Sequence, residues 1–483
     1  MNTILISSVV LYLLGTLGLG VWAGSRIKNT ADFAVAGRSL PLIMVVTTTF
    51  ATWFGAETVM GIPARFVQGG LGALIEDPFG AGSCLILVGL FFATRLYKLN
   101  LLTIGDYYRA RFGKGIEIFC SAAIILSYLG WVAAQITALG LVFSVLTGGA
   151  MSETAGMIVG TLAVLIYVVI GGFLAVAITD FIQMIVLVVG LSIIAIFSSK
   201  LTGGAAPVFA MASNAHLWNA APEHSFHGIA AFIGSAVTMM LGSIPQQDVY
   251  QRVMSANSAP TARTGAVIGG ASYILFAFVP MFVVACAVVV MGDSAMEIAK
   301  NDYQKLLPTF VLTKMPLVMQ ILFFGALLSA IKSTSSATLL APATSFTENI
   351  LKNIRPGMND RQQLLAMRIT IVVFAALVLA YAIGMRGTSI YDLVGEAYKV
   401  TLVGAFVPLV MGLYWKRAST QGAILSLALG IGTWIGLSVS PLADAFPTQL
   451  AGLLAAFVGM IAGSLAPQVL KNRHEAHKTV VSA

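Results

Sequence analysis

Lys332 stands inside an apolar stretch long enough to cross a bilayer, in the run Leu327-Leu328-Ser329-Ala330-Ile331-Lys332-Ser333-Thr334-Ser335-Ser336-Ala337-Thr338-Leu339-Leu340. A cation at mid-membrane costs at least about 2.5–3.5 kcal/mol on insertion scales, so such residues usually face a polar interior and serve transport. The hydroxyls beside it supply oxygens of the kind that a small, hard cation needs. Ala330, Ser333 and Thr334 lie at i, i+3 and i+4, which puts one carbonyl and two hydroxyls on one face of a helix. The competing reading is that these hydroxyls bond back to their own helix, as Ser and Thr often do in membranes. Lys332 shares its face with Ser336 and not with the Ser333–Thr334 pair. An ion-handling membrane protein is the first reading.

The composition agrees with a scaffold dissolved in lipid. Of the 483 residues, 58% are hydrophobic and 10% charged, against about 25% charged in soluble chains, and mean hydropathy is +0.92. We therefore read residues 1–483 as one membrane domain. A span needs about 20 apolar residues. Thirteen segments qualify, near 3–23, 41–64, 74–95, 115–147, 155–173, 178–198, 228–249, 264–292, 309–348, 366–384, 391–414, 420–438 and 448–469. The first has no basic residue before its apolar core and is too long for a cleaved signal, so it reads as a retained helix. The net charge of +8 encodes topology and not nucleic-acid binding, because Lys and Arg gather in alternate connections. These hold Arg26, Lys28 and Arg38; Arg95 to Lys114; Arg252 and Arg263; Lys352 to Arg368; Lys416 and Arg417; and Lys471 to Lys478. Cytoplasmic loops collect such residues. That places the N-terminus outside, residues 470–483 as a cytoplasmic tail, and the chain in a plasma membrane, the inner membrane of a bacterium.

Other chemistries find little support. Cys84, Cys120 and Cys286 lie in apolar segments without paired spacing and read as buried packing thiols. His216, His224, His227, His474 and His477 all lie outside the proposed spans, and neither HExxH nor GxSxG occurs. His224 and His227 read as ordinary loop residues, since no carboxylate or Cys cluster joins them. Neither an enzyme nor a bound cofactor is expected, and no protein partner is required.

Two segments are interrupted in comparable ways. One reads Thr47-Thr48-Thr49-Phe50-Ala51-Thr52-Trp53-Phe54-Gly55-Ala56-Glu57-Thr58-Val59-Met60-Gly61-Ile62-Pro63, the other Met239-Met240-Leu241-Gly242-Ser243-Ile244-Pro245-Gln246-Gln247-Asp248. Each mixes glycine, proline and an ionisable residue within a membrane-length stretch, and they are five spans apart. Paired Gly/Pro interruptions are the best sequence pointer to an inverted-repeat transporter and its midplane site. We expect unwound backbone near Ala51 to Gly55 and near Gly242 to Pro245, both bordering one polar cavity. Two merely kinked packing helices are the alternative, which Glu57 weakens, because packing needs no carboxylate.

At these residues the chain resembles the sodium/solute symporter family, whose members carry proline, galactose, sialic acid, pantothenate or choline. The most specific pieces are Ile170-Gly171-Gly172-Phe173-Leu174-Ala175-Val176 with Thr179, Asp180 and Gln183; Gln251-Arg252-Val253-Met254-Ser255-Ala256-Asn257-Ser258; and Phe406 to Arg417. The stretches Pro78 to Ala93 and Gly242 to Ser258 look closest to the choline branch. The resemblance implies an all-α polytopic LeuT-type core of two inverted five-helix repeats, over 41–198 and 228–414. One extra helix precedes it at 3–23 and two follow at 420–469, giving thirteen. By the same resemblance sodium is held by the backbones of Ala51, Phe54 and Ala330 with the hydroxyls of Ser333 and Thr334.

The family's second-ion region matches at Asp180 and Ser336 but carries Ala337 where a serine is expected. There the Lys332 ammonium is expected to replace the second sodium and to pair with Asp180. The resemblance puts the substrate among Trp53, Glu57, Thr58, Asp77, Met239, Gly242 and Ser243. Two acids and an indole suit a small amine or quaternary ammonium compound. However, Gln246 stands where the choline branch has an aromatic, so a full aromatic cage is not evident, and Glu57 reads equally as a structural acceptor. The implied function is sodium-coupled symport of a small organic solute across the bilayer. Proton coupling or sodium-independent transport through Lys332 is the nearest alternative. A membrane sensor on the same fold is the reading of another class, and it would need an output module where only a short tail is expected.

Overall fold

Inside lipid every backbone polar group must be satisfied within the chain, so long apolar runs can only form helices or closed barrels. Here they form helices. The computed structural model describes residues 3–24, 29–443 and 445–470, and among these the one extended feature is a single bridge between Leu40 and Ala256. The basic residues Arg26 and Lys28 and the expected tail, with Lys471 and Lys478, lie outside the described residues.

We number the principal helices α1 (Thr3–Trp22), α2 (Leu42–Trp53), α3 (Glu57–Gly69), α4 (Leu71–Lys98), α5 (Lys114–Leu146), α6 (Glu153–Leu201), α7 (Phe226–Gly242), α8 (Gln247–Ser255), α9 (Ala259–Met291), α10 (Leu317–Ile354), α11 (Asp360–Gly384), α12 (Ile390–Tyr414), α13 (Thr420–Ser438) and α14 (Thr448–Leu465). Among the described residues ten are long and apolar enough to cross a membrane by themselves. The pairs α2–α3 and α7–α8 are bent by 57° and 46° at short breaks, and counting each pair as one span gives twelve. The expected segments 155–173 and 178–198 run on from one another as α6. Its 49 residues would extend roughly 70 Å if straight, more than twice a hydrocarbon core. A break at Gly172, with φ 52° and ψ −163°, divides it.

The bundle exposes apolar side chains and buries its ionisable residues within a largely apolar core. Leu11, Leu275, Leu377 and Val458 are exposed on its surface, whereas Glu57, Asp77, Asp180, Asp248, Arg252 and Lys332 are all buried. In the interior α2 packs on α6, α9 and α10, and α1 packs on α6 and α10. α13 and α14 pair with each other at the edge.

Gly172 sits in a backbone region open essentially to glycine alone, and a Cβ there would lie 2.5 Å from the ring of buried Phe33. Gly172→Ala should therefore cost about 1–3 kcal/mol, read as a lower apparent Tm and a lower yield of folded protein. An unchanged Tm would mean that the break is not needed.

Candidate ion and substrate sites

The hydrogen-bond ladder of α2 ends with the Phe54 amide on the Phe50 carbonyl (3.0 Å) and resumes with the Val59 amide on the Gly55 carbonyl (3.2 Å). The carbonyls of residues 51–54 between them are released from the ladder. That of Trp53 accepts from the Thr58 hydroxyl (3.2 Å). Those of Ala51 and Phe54, the expected sodium ligands, belong to this freed set. The break abuts α10 so closely that a Cβ on Gly55 would lie 2.6 Å from Thr334 Oγ1. Only glycine allows that approach.

The five hydroxyls between Ser333 and Thr338 on α10 divide into two groups. Ser335, Ser336 and Thr338 donate to the carbonyls of Ile331, Lys332 and Thr334 on their own helix (2.6–2.7 Å). Ser333 instead donates to Asp180 Oδ1 on α6 (2.5 Å), and the buried Thr334 Oγ1 has no hydrogen-bond partner. Back-bonding thus occupies the three neighbouring hydroxyls but not Ser333 or Thr334, the two for which it was the competing reading. Released carbonyls, the unpartnered Thr334 hydroxyl beside them and a Ser333 hydroxyl whose lone pairs its bond to Asp180 leaves unspent are hard oxygens of the kind that suits a small monovalent cation.

α5 braces the same break with residues that sequence reasoning did not single out. Gln135 Oε1 accepts from the Ala56 amide (2.9 Å), while Gln135 Nε2 and Trp131 Nε1 donate to the two oxygens of Glu57 (2.6 and 2.9 Å). Trp131 and Gln135 are i and i+4 on one helix face. A glutamine in the middle of an apolar span was the signal available in the sequence. Both carboxylate oxygens of Glu57 thus accept hydrogen bonds from within the protein.

The other expected substrate residues gather around the two breaks. Trp53 packs edge-on to Trp131 (5.3 Å between centroids) and stacks with Tyr398 of α12 (6.1 Å), and Tyr128 stacks on Trp131 (6.1 Å). Gly242 lies beneath Tyr398, whose carbonyl oxygen a Cβ would approach to 2.6 Å. Thr58 and Asp77 both contact the Tyr273 hydroxyl, at 3.0 and 2.5 Å. Met239 and Ser243 are fully buried beside them on α7 and just after it. Asp248, also missed, opens α8 and accepts from the Tyr128 hydroxyl (2.5 Å); its other oxygen faces the Trp53 indole without closing a hydrogen bond. Gln246 donates to Ser127 (2.7 Å). Oxygens of Asp77, Ser243, Gln246, Asp248 and Tyr398 remain buried without partners. Polar and aromatic side chains from the two breaks thus gather in one buried centre. Rings of α5 and α12 pack around Trp53 and Trp131.

Comparison with known proteins agrees with this architecture. The model of the "Sodium:solute symporter family" matches residues 33–430. The chain belongs to that family. Members similar to it include the high-affinity choline transporter 1 of Caenorhabditis elegans, 27% identical over 88% of this chain and 76% of the relative. The osmoregulated proline transporter OpuE of Bacillus subtilis is 25% identical over 98% and 96%. A Na+-coupled sialic acid symporter in a substrate-bound outward-open state superposes with a TM-score of 0.84 at 21% identity, covering 97% of this chain and 99% of that one. MhsT in complex with L-phenylalanine superposes at 0.55 with 16% identity, over 88% and 98%. These two establish a shared transporter fold.

In this symporter the expected pairing of Lys332 with Asp180 does not form. Asp180 accepts from Thr48 on α2 (2.6 Å) and from Ser333, and Ser336 is spent on its own helix. Lys332 points instead toward α1 and α6. Its Nζ lies 4.3 Å from the centroid of the Tyr167 ring and has no hydrogen-bond partner. One turn earlier Ser329 meets Tyr12 of α1 (2.5 Å). The pairing was expected from the face that Lys332 shares with Ser336 and from the family resemblance at Ser336 and Asp180, and neither fixes where a long side chain turns.

Two outcomes follow. Glu57→Gln must turn an amide N–H toward Trp131 or Gln135, so it should cost about 1–3 kcal/mol, visible as a lower Tm at all sodium concentrations. Lys332→Met removes a buried ammonium that lacks a carboxylate partner, and its Tm should stay level or rise. A fall of several degrees would mean that the cation over Tyr167 carries the local structure.

Proposed function

We propose that this chain is a secondary transporter that couples sodium entry to uptake of a small organic solute by alternating access. The observation that carries the reading is the pair Ser333 and Thr334. These hydroxyls of α10 are not bonded to their own helix, and Thr334 abuts the break between α2 and α3 where carbonyls are released. Sodium is transported cargo here, held between Ala51 and Phe54 on one side and Ala330, Ser333 and Thr334 on the other. An ion that bridges the two elements stabilises the arrangement in which they are close. Each inward charge draws about 2.3 kcal/mol per 100 mV from the membrane potential, enough for tens-fold concentration of solute.

The same reading divides the chain into a LeuT-type pair of inverted repeats, 41–198 and 228–414, with α1 before and α13 and α14 after. Splitting α6 at Gly172 brings the spans to thirteen, with the N-terminus outside and the tail cytoplasmic. A cavity of about 390 Å³ lined by Arg65, Glu153, Lys305 and Tyr391 supplies the outer approach. Tyr391 closes its floor, since its hydroxyl accepts from the Asp77 amide (3.2 Å). For the solute we propose an organic cation, an amine or quaternary ammonium compound. Asp77 and Asp248 each keep a buried oxygen without a hydrogen bond, and Trp53, Trp131 and Tyr398 offer ring faces nearby. The choline transporters among the relatives support the same class. Proton coupling through Lys332 has less behind it, because that side chain turns away from both breaks.

The test is uptake by reconstituted protein of amines, quaternary ammonium compounds, amino acids and sugars, with and without a sodium gradient at fixed pH. Ser333→Ala and Thr334→Ala should each raise half-saturating sodium about tenfold or more, since each removes an oxygen from a charged partner. Without sodium, Thr334→Ala should keep the Tm of the parent, because Thr334 Oγ1 has no protein partner, whereas Ser333→Ala should lower it by leaving Asp180 Oδ1 without its donor. Parent uptake that is indifferent to sodium would overturn the coupling, and selective uptake of a neutral solute would overturn the proposed class.

A further inference from the structure

Arg252 is a buried charge that the transport cycle described so far does not use. It lies on α8, 2% exposed, and among the described residues it forms no ion pair within contact distance. Its Nε donates to the Thr48 carbonyl (3.3 Å), its Nη2 to the Thr52 hydroxyl and its Nη1 to the Asp248 carbonyl on its own helix (2.7 Å). The charges of Asp248 and Asp180 both act on it. One side chain therefore fastens the second broken pair, α7–α8, to the turn of α2 that precedes the first break.

Thr48 is the shared node. Its carbonyl accepts from Arg252, while its hydroxyl donates to Asp180 Oδ2 (2.6 Å). Asp180 Oδ1 in turn accepts the Ser333 proton. A hydroxyl has one proton and two lone pairs, so this bond turns the Ser333 lone pairs away from Asp180 and leaves them for a cation. Thr48 and Ala51 are i and i+3 on α2. A cation that bridges Ala51 to Ser333 and a carboxylate that bridges Thr48 to Ser333 thus hold the same turn of α2 against α10.

We infer that Asp180 is a positioning residue that aims the Ser333 hydroxyl without itself contacting the ion, and that through Thr48 it ties ion binding to a latch made by Arg252 between α8 and α2. The inference rests on the sodium site proposed above. With the ion in place, α2 is fixed to α10 at two points and seats Arg252. Loss of the ion removes one of the two bridges, and the turn of α2 that seats Arg252 is free to leave. The ion biases the latch by as much as it prefers the closed arrangement.

The experiment uses the full chain with Cys84, Cys120 and Cys286 replaced by alanine and Ser345→Cys as a reporter. Ser345 is buried on α10 next to Thr344, which Gln251 of α8 contacts (3.4 Å). Maleimide labelling of the reporter is timed in sodium and in potassium at equal ionic strength, and half-saturating sodium is measured by uptake. Sodium should slow labelling of the parent about tenfold. Thr48→Val and Asp180→Asn should each raise half-saturating sodium about tenfold, the worth of a hydrogen bond to a charged group. Each should also erase the sodium protection, and together they should do little more than either alone. Thr48→Ser, which keeps the hydroxyl, should behave as the parent. If Ser333→Ala leaves the sodium effect intact, the sodium reading falls and this inference with it. If Ser333→Ala erases it while Thr48→Val and Asp180→Asn stay within twofold of the parent, the inference alone is overturned. Should one of those two variants fail to fold, the other decides.

Discussion

A carbonyl released from a helix cannot be left in hydrocarbon, where each unsatisfied backbone group costs several kcal/mol. The break between Trp53 and Glu57 releases four of them at once. That constraint organises the surrounding bundle. It demands a polar interior at this depth, which α5 supplies with Trp131 and Gln135 and α10 with its hydroxyls. It demands close approach, which Gly55 permits. It also demands that the freed oxygens find a partner, and a cation passing through the membrane is the partner that their geometry suits. The feature that makes the backbone costly to bury thus also makes it useful.

The buried acids divide by how completely they are satisfied. Glu57 has both oxygens bonded to N–H donors from one helix face, and it serves as a strut. Asp180 is likewise filled by two hydroxyls from different helices, which makes it a joint between elements. Asp77 and Asp248 each keep one oxygen in reserve. In a low-dielectric interior an uncommitted carboxylate oxygen is expensive, so its retention points to a visiting group that completes it. Neighbouring acids in one cavity can thus differ in role because their hydrogen-bond inventories differ.

How much of this was legible depended on whether the controlling interaction was local. Both breaks could be read because glycine and proline act through their own backbones, and the observed breaks at Phe54–Gly55 and Ser243–Gln246 fall within or beside the expected stretches. Ser333 and Thr334 were indicated by the family resemblance, and their spacing with Ala330 on one helix agreed with it. The braces could not be read this way. Trp131 meets Glu57 across 74 residues and Tyr128 meets Asp248 across 120, so only the fold brings them together. The Lys332–Asp180 expectation failed for a related reason. Periodicity places a Cβ on a face, but a lysine's four-carbon stem carries its charge well beyond it, here to the ring of Tyr167.

The position of Lys332 gives α1 a significance beyond that of an accessory helix. Tyr12 meets Ser329, and Gly20 lies so close to Tyr167 that a Cβ there would fall 2.1 Å from its ring. α1 therefore packs beside the surface on which a charged side chain from some three hundred residues further along the chain comes to lie. When α10 leaves the insertion machinery it carries an ammonium that lipid rejects, and the surface that accepts it has to be assembled already from α1 and α6. Membrane insertion of this chain is in that sense an ordered construction, in which an upstream segment serves a later one.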